Sequence, residues 1–169
     1  DSQNVDLICC LGDLVNQNVW NNEVVELIRK RKIPTVRGNH DEGIAGGKRF
    51  FPFSYTFPEA MQWGREAIAY TLSHITDDNR GFLSTLPLRF RLKVLHEGEM
   101  PFYIVLTHGS PKSIHKRLYR FTPKDQFTAM LKQADADMLI TGNTHIPYHH
   151  VIPVEENGSI INRHVINPG

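Results

Sequence analysis

The chain has 169 residues, 40% of them apolar and 22% charged, a globular composition that excludes a disordered chain. Lys plus Arg number 19 and Asp plus Glu number 18, so the formal charge is +1. That near-balance excludes a general electrostatic footprint for nucleic acid or membrane, and any charged substrate must be held by a local site.

At roughly 100–200 residues per domain, the length suits a single domain spanning residues 1–169. The longest nearly apolar run, Met100–Leu106, contains a proline. It falls far short of the ~20 residues a membrane helix needs. The two cysteines, Cys9 and Cys10, are adjacent and point to opposite faces of a strand, so they form no disulfide framework. A reducing, cytoplasmic setting is expected.

Val5–Leu11 reads as a buried strand ending at Gly12-Asp13. Asn22–Lys32 reads as a helix whose cationic last turn, Arg29–Lys32, complements its dipole. Pro34–Arg37 is a second short strand, so the three elements make a parallel βαβ unit. Gly43–Pro58 is rich in Gly, Phe and Pro and is predicted to be loop. Glu59–His74 and Thr76–Leu86 are predicted helices, the second stopped by Pro87.

Leu88–His96 and Pro101–Thr107 are predicted strands of a hairpin around Glu97-Gly98-Glu99. Thr122 as N-cap and Pro123 at the first helical position start a helix that runs to about Ala134. Met138–Thr141 is a strand ending at Gly142, and Tyr148–Val154 and Ser159–Ile166 flank the hairpin signal Asn157-Gly158. The expected architecture is α/β, a layered αββα sandwich of mixed β-sheets flanked by helices.

Four apolar strands end in short polar clusters. These are Gly12-Asp13, Gly38-Asn39-His40-Asp41, Thr107-His108-Gly109-Ser110 and Gly142-Asn143-Thr144-His145. Ligand sites in α/β sheets lie outside the carboxyl ends of strands. Carboxylate, amide oxygen and imidazole suit Mn, Fe, Zn or Ni in a mixed nitrogen and oxygen shell. Gly-Asp after a strand, alone, is an ordinary turn, and a lone histidine is an ordinary packed or solvated residue. All four clusters in this order are the informative signal.

Asp13 in GDLV, Asn39-His40-Asp41 in GNHD, His108 in THGS and His145 in GNTH resemble the calcineurin-like metallophosphoesterase superfamily, over nearly the whole chain. Glu66–Leu88, His-Gly-Ser after a strand and the closing Asn-Pro-Gly resemble small bacterial phosphodiesterases of the YfcE and diadenosine-tetraphosphatase-like type. The resemblance implies two divalent metal ions, with Mn favoured over Fe, Zn, Ni or Mg. It implies that Asp13 bridges them, that Asn39 and His108 bind the second, and that His145 binds the first. His40 would stabilise the phosphoryl oxygens or protonate the leaving group, and Asp41 would hydrogen-bond His40 and fix its tautomer. Two such ions, roughly 3.5–4 Å apart, offset the charge of a phosphoester and acidify a bridging water.

The chain departs from the family twice. The family begins with Asp-x-His on the strand before Val5–Leu11, and no such motif precedes Asp13. The expectation is a chain truncated at both ends, with the first strand missing. The second departure is Asn143, where the family usually has histidine. An amide oxygen is a weaker ligand for borderline ions, so a weak second site tilted towards harder ions is expected.

Other residues are discounted. His149 and His150 alternate on a predicted strand and cannot both face one ion, and His74, His96, His115 and His164 lack motif context. Lys48, Arg49, Lys112, Lys116 and Arg117 lie in or near the site loops, with a solvated face as their default role. Phe50, Phe51, Phe53, Tyr55 and Phe57 suit a core or a lid floor, with stacking on a nucleobase as the alternative.

The leading expectation is a metal-dependent phosphoesterase acting on a small phosphodiester or phosphomonoester, including nucleotides. The alternative is a degenerate phosphoesterase fold that binds without turnover, and a third is an α/β domain with coincidental polar loops. Oligomeric state is not encoded in any residue pattern.

Overall fold

The structure is a computed structural model and describes residues 4–16, 18–51, 57–95, 97–98, 100–156 and 158–169. The expectations placed on Phe53, Tyr55, His96, Glu99 and Asn157 lie outside the described residues. The chain divides into two compact units, Asp1–Leu86 and Pro87–Gly169.

The first unit holds four helices: α1 (Asn21–Arg31), α2 (Asn39–Ala45), α3 (Pro58–His74) and α4 (Asp77–Thr85). Pro58 opens α3, where its missing N–H costs no helical bond. Thr76 caps α4, its hydroxyl accepting from the Asn79 N–H at 3.2 Å. Arg29, Lys30 and Arg31 close α1 in its last turn, as the charge pattern predicts. Leu14, Val15, Val25, Ile44, Phe51, Ile68, Leu83 and Leu86 form the core of this unit. Burying each stabilises the fold by about 1.5–3 kcal/mol before entropy is counted.

Two expectations are corrected here. Val5–Leu11 and Pro34–Arg37 run parallel as predicted, but their pairing is a single bridge between Cys10 and Thr35. The Cys10 N–H donates to Pro34 O at 2.9 Å and the Val36 N–H to Cys10 O at 3.1 Å. Val5, Leu7 and Ile8 line a groove with Ile33 and Pro34 and stay about half exposed. Their apolar character therefore does not translate into burial.

The second correction concerns Gly43. The expected loop Gly43–Pro58 begins later, because Gly43, Ile44 and Ala45 lie inside α2. Asp41 at the third position of α2 accepts from the Gly38 N–H at 2.9 Å, and this cap outweighs the poor helix propensity of glycine.

The second unit is a five-stranded mixed sheet with strands β1 (Arg89–Val94), β2 (Phe102–Thr107), β3 (Met138–Thr141), β4 (Tyr148–Glu156) and β5 (Ser159–Asn167). The order is β1-β2-β3-β5-β4. β2, β3 and β5 run parallel in the centre, and antiparallel β1 and β4 form the edges. Both predicted hairpins are present. Glu156 pairs with Ser159, and Gly158 has φ +76° in the connecting turn.

Helix α5 (Lys124–Ala134) covers one face of this sheet. Its Phe127, Met130, Leu131 and Ala134 pack with Val105, Leu139 and Val165, which share one face by register. The start of α5 differs from expectation by one position. Pro123 occupies the N-cap, and the Thr122 hydroxyl accepts from the Tyr119 N–H at 3.0 Å instead of capping the helix. The preceding turn takes the hydroxyl first.

Candidate functional site

In the first unit two loops meet, Gly12–Asn16 after the first segment and Gly38–Asp41 at the start of α2. The fully buried carboxylate of Asp41 ties them together. It accepts backbone N–H bonds from Gly38 (2.9 Å), Asp13 (2.9 Å) and Leu14 (2.8 Å). Burial, with the Asp13 charge next in weight, pushes the Asp41 carboxyl up to about 6, while the three donors pull the other way.

Asp13 itself is aimed by two devices. Its backbone sits in the left-handed region at φ +57°, and its Oδ1 accepts from the His40 N–H at 2.9 Å. Gly38 has no room for a side chain, because a Cβ there would overlap the Asp13 carboxylate.

His40 is 8% exposed and meets the edge of Phe51, with centroids 5.3 Å apart and planes at 83°. The expected bond from Asp41 to His40 is not formed. Neighbours on a helix point in different directions, and Asp41 turns back to the backbone amides. Instead the side-chain amide nitrogen of Asn16 lies 2.8 Å from His40 Nδ1.

Asn16 makes two further bonds. Its Oδ1 accepts from the Thr71 hydroxyl at 3.4 Å, and its backbone N–H donates to Asn21 Oδ1 at 2.8 Å. The Asn16–His40 contact holds the His40 ring in one orientation.

In the second unit the ends of β2 and β3 are stitched together. The Gly142 N–H donates to His108 O at 2.9 Å, and the Thr141 hydroxyl donates to Gly109 O at 2.7 Å. His108 is buried and His145 exposed. Buried Asn167 of the closing Asn-Pro-Gly holds the 142–145 loop through Gly142 O (3.0 Å) and the Thr144 hydroxyl (2.9 Å). Asn143 Oδ1 accepts from Arg117 Nε at 3.2 Å, and its Nδ2 donates to Ile114 O at 3.0 Å.

Backbone strain marks the same loops. Asp13, Asn16, Asn143 and His145 all have φ between +54° and +78°. Lys32 and Asp135 share that region as ordinary helix C-caps. Left-handed non-glycine residues in polar loops are a signature of functional sites.

The structure thus gathers Asp13, Asn39, His40 and Asp41 in one unit and His108, Asn143 and His145 in the other. Asn16 and Thr141 carry no site signal of their own in the sequence, and Asn167 enters only as part of the closing Asn-Pro-Gly. For Asn16 the available signal was its place three residues after Asp13 in the Gly-Asp loop.

The discounted His74, His149, His150 and His164 have partners outside the polar clusters. His149 bonds His164, His150 bonds Arg120 O, and His74 stacks on Tyr70. Lys48 pairs with Glu42 at 3.6 Å, and Phe51 belongs to the core. Cys9 and Cys10 are free thiols.

Among the described residues, no three His, Cys, Asp or Glu side chains form a metal-holding group, and no helix is long and apolar enough to cross a membrane. The donors nevertheless fit divalent ions in kind. Asp13 is a carboxylate held in a fixed direction, Asn39 offers an amide oxygen, and His108 and His145 offer imidazoles. Asn143 fits poorly, because the oxygen it would offer already faces a guanidinium.

Polar loops at the ends of β2 and β3 in one unit, and Gly12–Asn16 beside Gly38–Asp41 in the other, carry the residue set of the metallophosphoesterases. The chain belongs to the calcineurin-like phosphoesterase family, whose sequence profile matches residues 1–147. It is 28% identical over 178 residues to the uncharacterised protein MJ0912 of Methanocaldococcus jannaschii, covering 99% of this chain and 65% of that protein.

Among solved structures it resembles a metallophosphoesterase from Sphaerobacter thermophilus, with 26% identity and a TM-score of 0.64. The match covers 98% of this chain and 66% of that one. It shares its fold with protein PH1004 from Pyrococcus horikoshii OT3, with TM-score 0.65, 18% identity, and coverage of 94% and 61%. The chain therefore spans just under two thirds of the length of these relatives.

Proposed function

We propose that the protein hydrolyses small phosphoesters, diesters or monoesters, with nucleotides among the candidate substrates. Asp13, Asn39, His108 and His145 are the residues assigned to hold a pair of divalent ions, with manganese as the favoured metal. When bound, such ions neutralise phosphoryl charge and acidify water. The protein's own residues do the rest. The His40 N–H fixes the direction of the Asp13 carboxylate. Asp41 locks the two loops against each other. His40 keeps its ring proton on Nε2, where it donates to a phosphoryl oxygen or to the leaving group.

The observation that carries this reading is the Asn16–His40 bond. It holds a buried imidazole in one orientation beside the Asp13 loop. Free Cys9 and Cys10 support a reducing, cytoplasmic location.

Turnover of an aryl phosphodiester with Mn²⁺ tests the proposal. Activity should vanish with EDTA and in Asp13→Ala. The second reading, a binding module without turnover, draws on the engagement of Asn143 by Arg117. Binding of nucleotide with no hydrolysis under any divalent metal would favour that reading instead.

A further inference from the structure

We propose that Arg117 binds the anionic phosphoryl group of the substrate and that Asn143 is its positioning residue rather than a metal ligand. This inference rests on the phosphoesterase reading above.

The first support is geometric. Arg117 follows β2 in the loop after His108, and it returns to the end of β3 to place Nε 3.2 Å from Asn143 Oδ1. The loop is closely wound. Gly109 lies against the Ser113, Ile114 and Lys116 carbonyls, which would stand 2.6–2.8 Å from a Cβ at that position. Ser110 and Ser113 exchange backbone bonds of 2.9 and 3.1 Å. Ile114 and Leu118, both buried, anchor the loop on either side of Arg117.

Asn143 is equally constrained. Its φ is +69°, and its Nδ2 donates to Ile114 O at 3.0 Å, so the oxygen is the atom turned to the guanidinium. A neutral amide orients Arg117 without cancelling its charge. Among the described residues no carboxylate pairs with it. A guanidinium held through Nε keeps its terminal nitrogens as a fork suited to two phosphoryl oxygens.

The second support is the local charge. From Pro101 to Lys124 the chain has no Asp or Glu, yet it carries Lys112, Lys116, Arg117, Arg120 and Lys124. A protein with a net charge of +1 thus concentrates cations between the His108 strand end and the start of α5. Local excess of this kind draws an anionic substrate to the site.

The test is calorimetric binding of inorganic phosphate to the Mn²⁺-supplemented protein and its variants. Arg117→Gln keeps a donor for Asn143 and removes the charge, so thermal stability should hold while phosphate affinity falls about tenfold or more. Arg117→Lys should recover part of that loss, because a point charge replaces the fork. Asn143→Ala should weaken phosphate binding less than Arg117→Gln does.

Equal phosphate affinity in wild type and Arg117→Gln overturns the inference, and so does a wild type that binds no phosphate. Ester turnover with Arg117-independent phosphate binding would leave the proposed function standing and this inference refuted. Arg117-dependent phosphate binding without any ester turnover would do the reverse.

Discussion

The Asn16 side-chain amide nitrogen lies 2.8 Å from His40 Nδ1, the contact proposed to leave the ring proton on Nε2. Ring nitrogen-15 shifts should report an Nε2–H tautomer in the wild type. In Asn16→Asp the partner becomes an acceptor, and the proton should move to Nδ1. An unchanged tautomer in that variant would mean the bond does not control the ring.

The same contact has a kinetic consequence. Asn16→Ala removes the partner that holds the ring without touching substrate. We expect kcat on an aryl phosphodiester to fall about 10–100-fold, with KM within about twofold, because proton-transfer geometry acts on the chemical step. Steady-state kinetics with Mn²⁺ check this. A change confined to KM would assign Asn16 to binding.

Asp41 predicts a pH dependence of stability in the metal-free protein. Its folded carboxyl titrates at about 6 against 3.8 for the free group, because burial and the neighbouring Asp13 charge disfavour ionisation. Between those values the folded state holds more protons than the unfolded state, so stability falls as pH rises and levels off above about 6. Urea midpoints across that range should show the decline in wild type and lose it in Asp41→Asn. A midpoint that rises over the same interval contradicts the assignment.

Much of this arrangement was legible in the sequence. Strand ends, hairpins and the helices α1, α3, α4 and α5 follow local rules of periodicity, caps and turn residues. The four polar clusters carry the family signature in the residues themselves. The lost details are those decided by tertiary contacts. Asp41 stands beside His40 in sequence, yet its carboxylate is claimed by three backbone donors from two loops. The partner of His40 lies 24 residues away in a left-handed conformation that only the folded loop imposes. Val5, Leu7 and Ile8 read as core by composition but remain exposed, since apolarity alone does not specify a neighbour.

Gly38 offers a steric prediction. Alanine at this position drives a methyl group into the Asp13 carboxylate and must displace it or the loop. Destabilisation of about 1–3 kcal/mol is expected, together with about tenfold weaker Mn²⁺ binding. Thermal melts and metal titration read the two effects separately. Wild-type metal affinity in Gly38→Ala would show that Asp13 is not held as described.

The most direct test of the central claim compares leaving groups in His40→Ala. If His40 donates its Nε2 proton to the departing oxygen, the variant should lose about 10²–10⁴-fold in kcat on an alkyl or phenyl ester. It should lose far less on a p-nitrophenyl ester, whose leaving group needs little protonation. Equal losses on both esters would contradict donation to the leaving group and assign the proton to a phosphoryl oxygen, and no loss on either would contradict any donating role for His40.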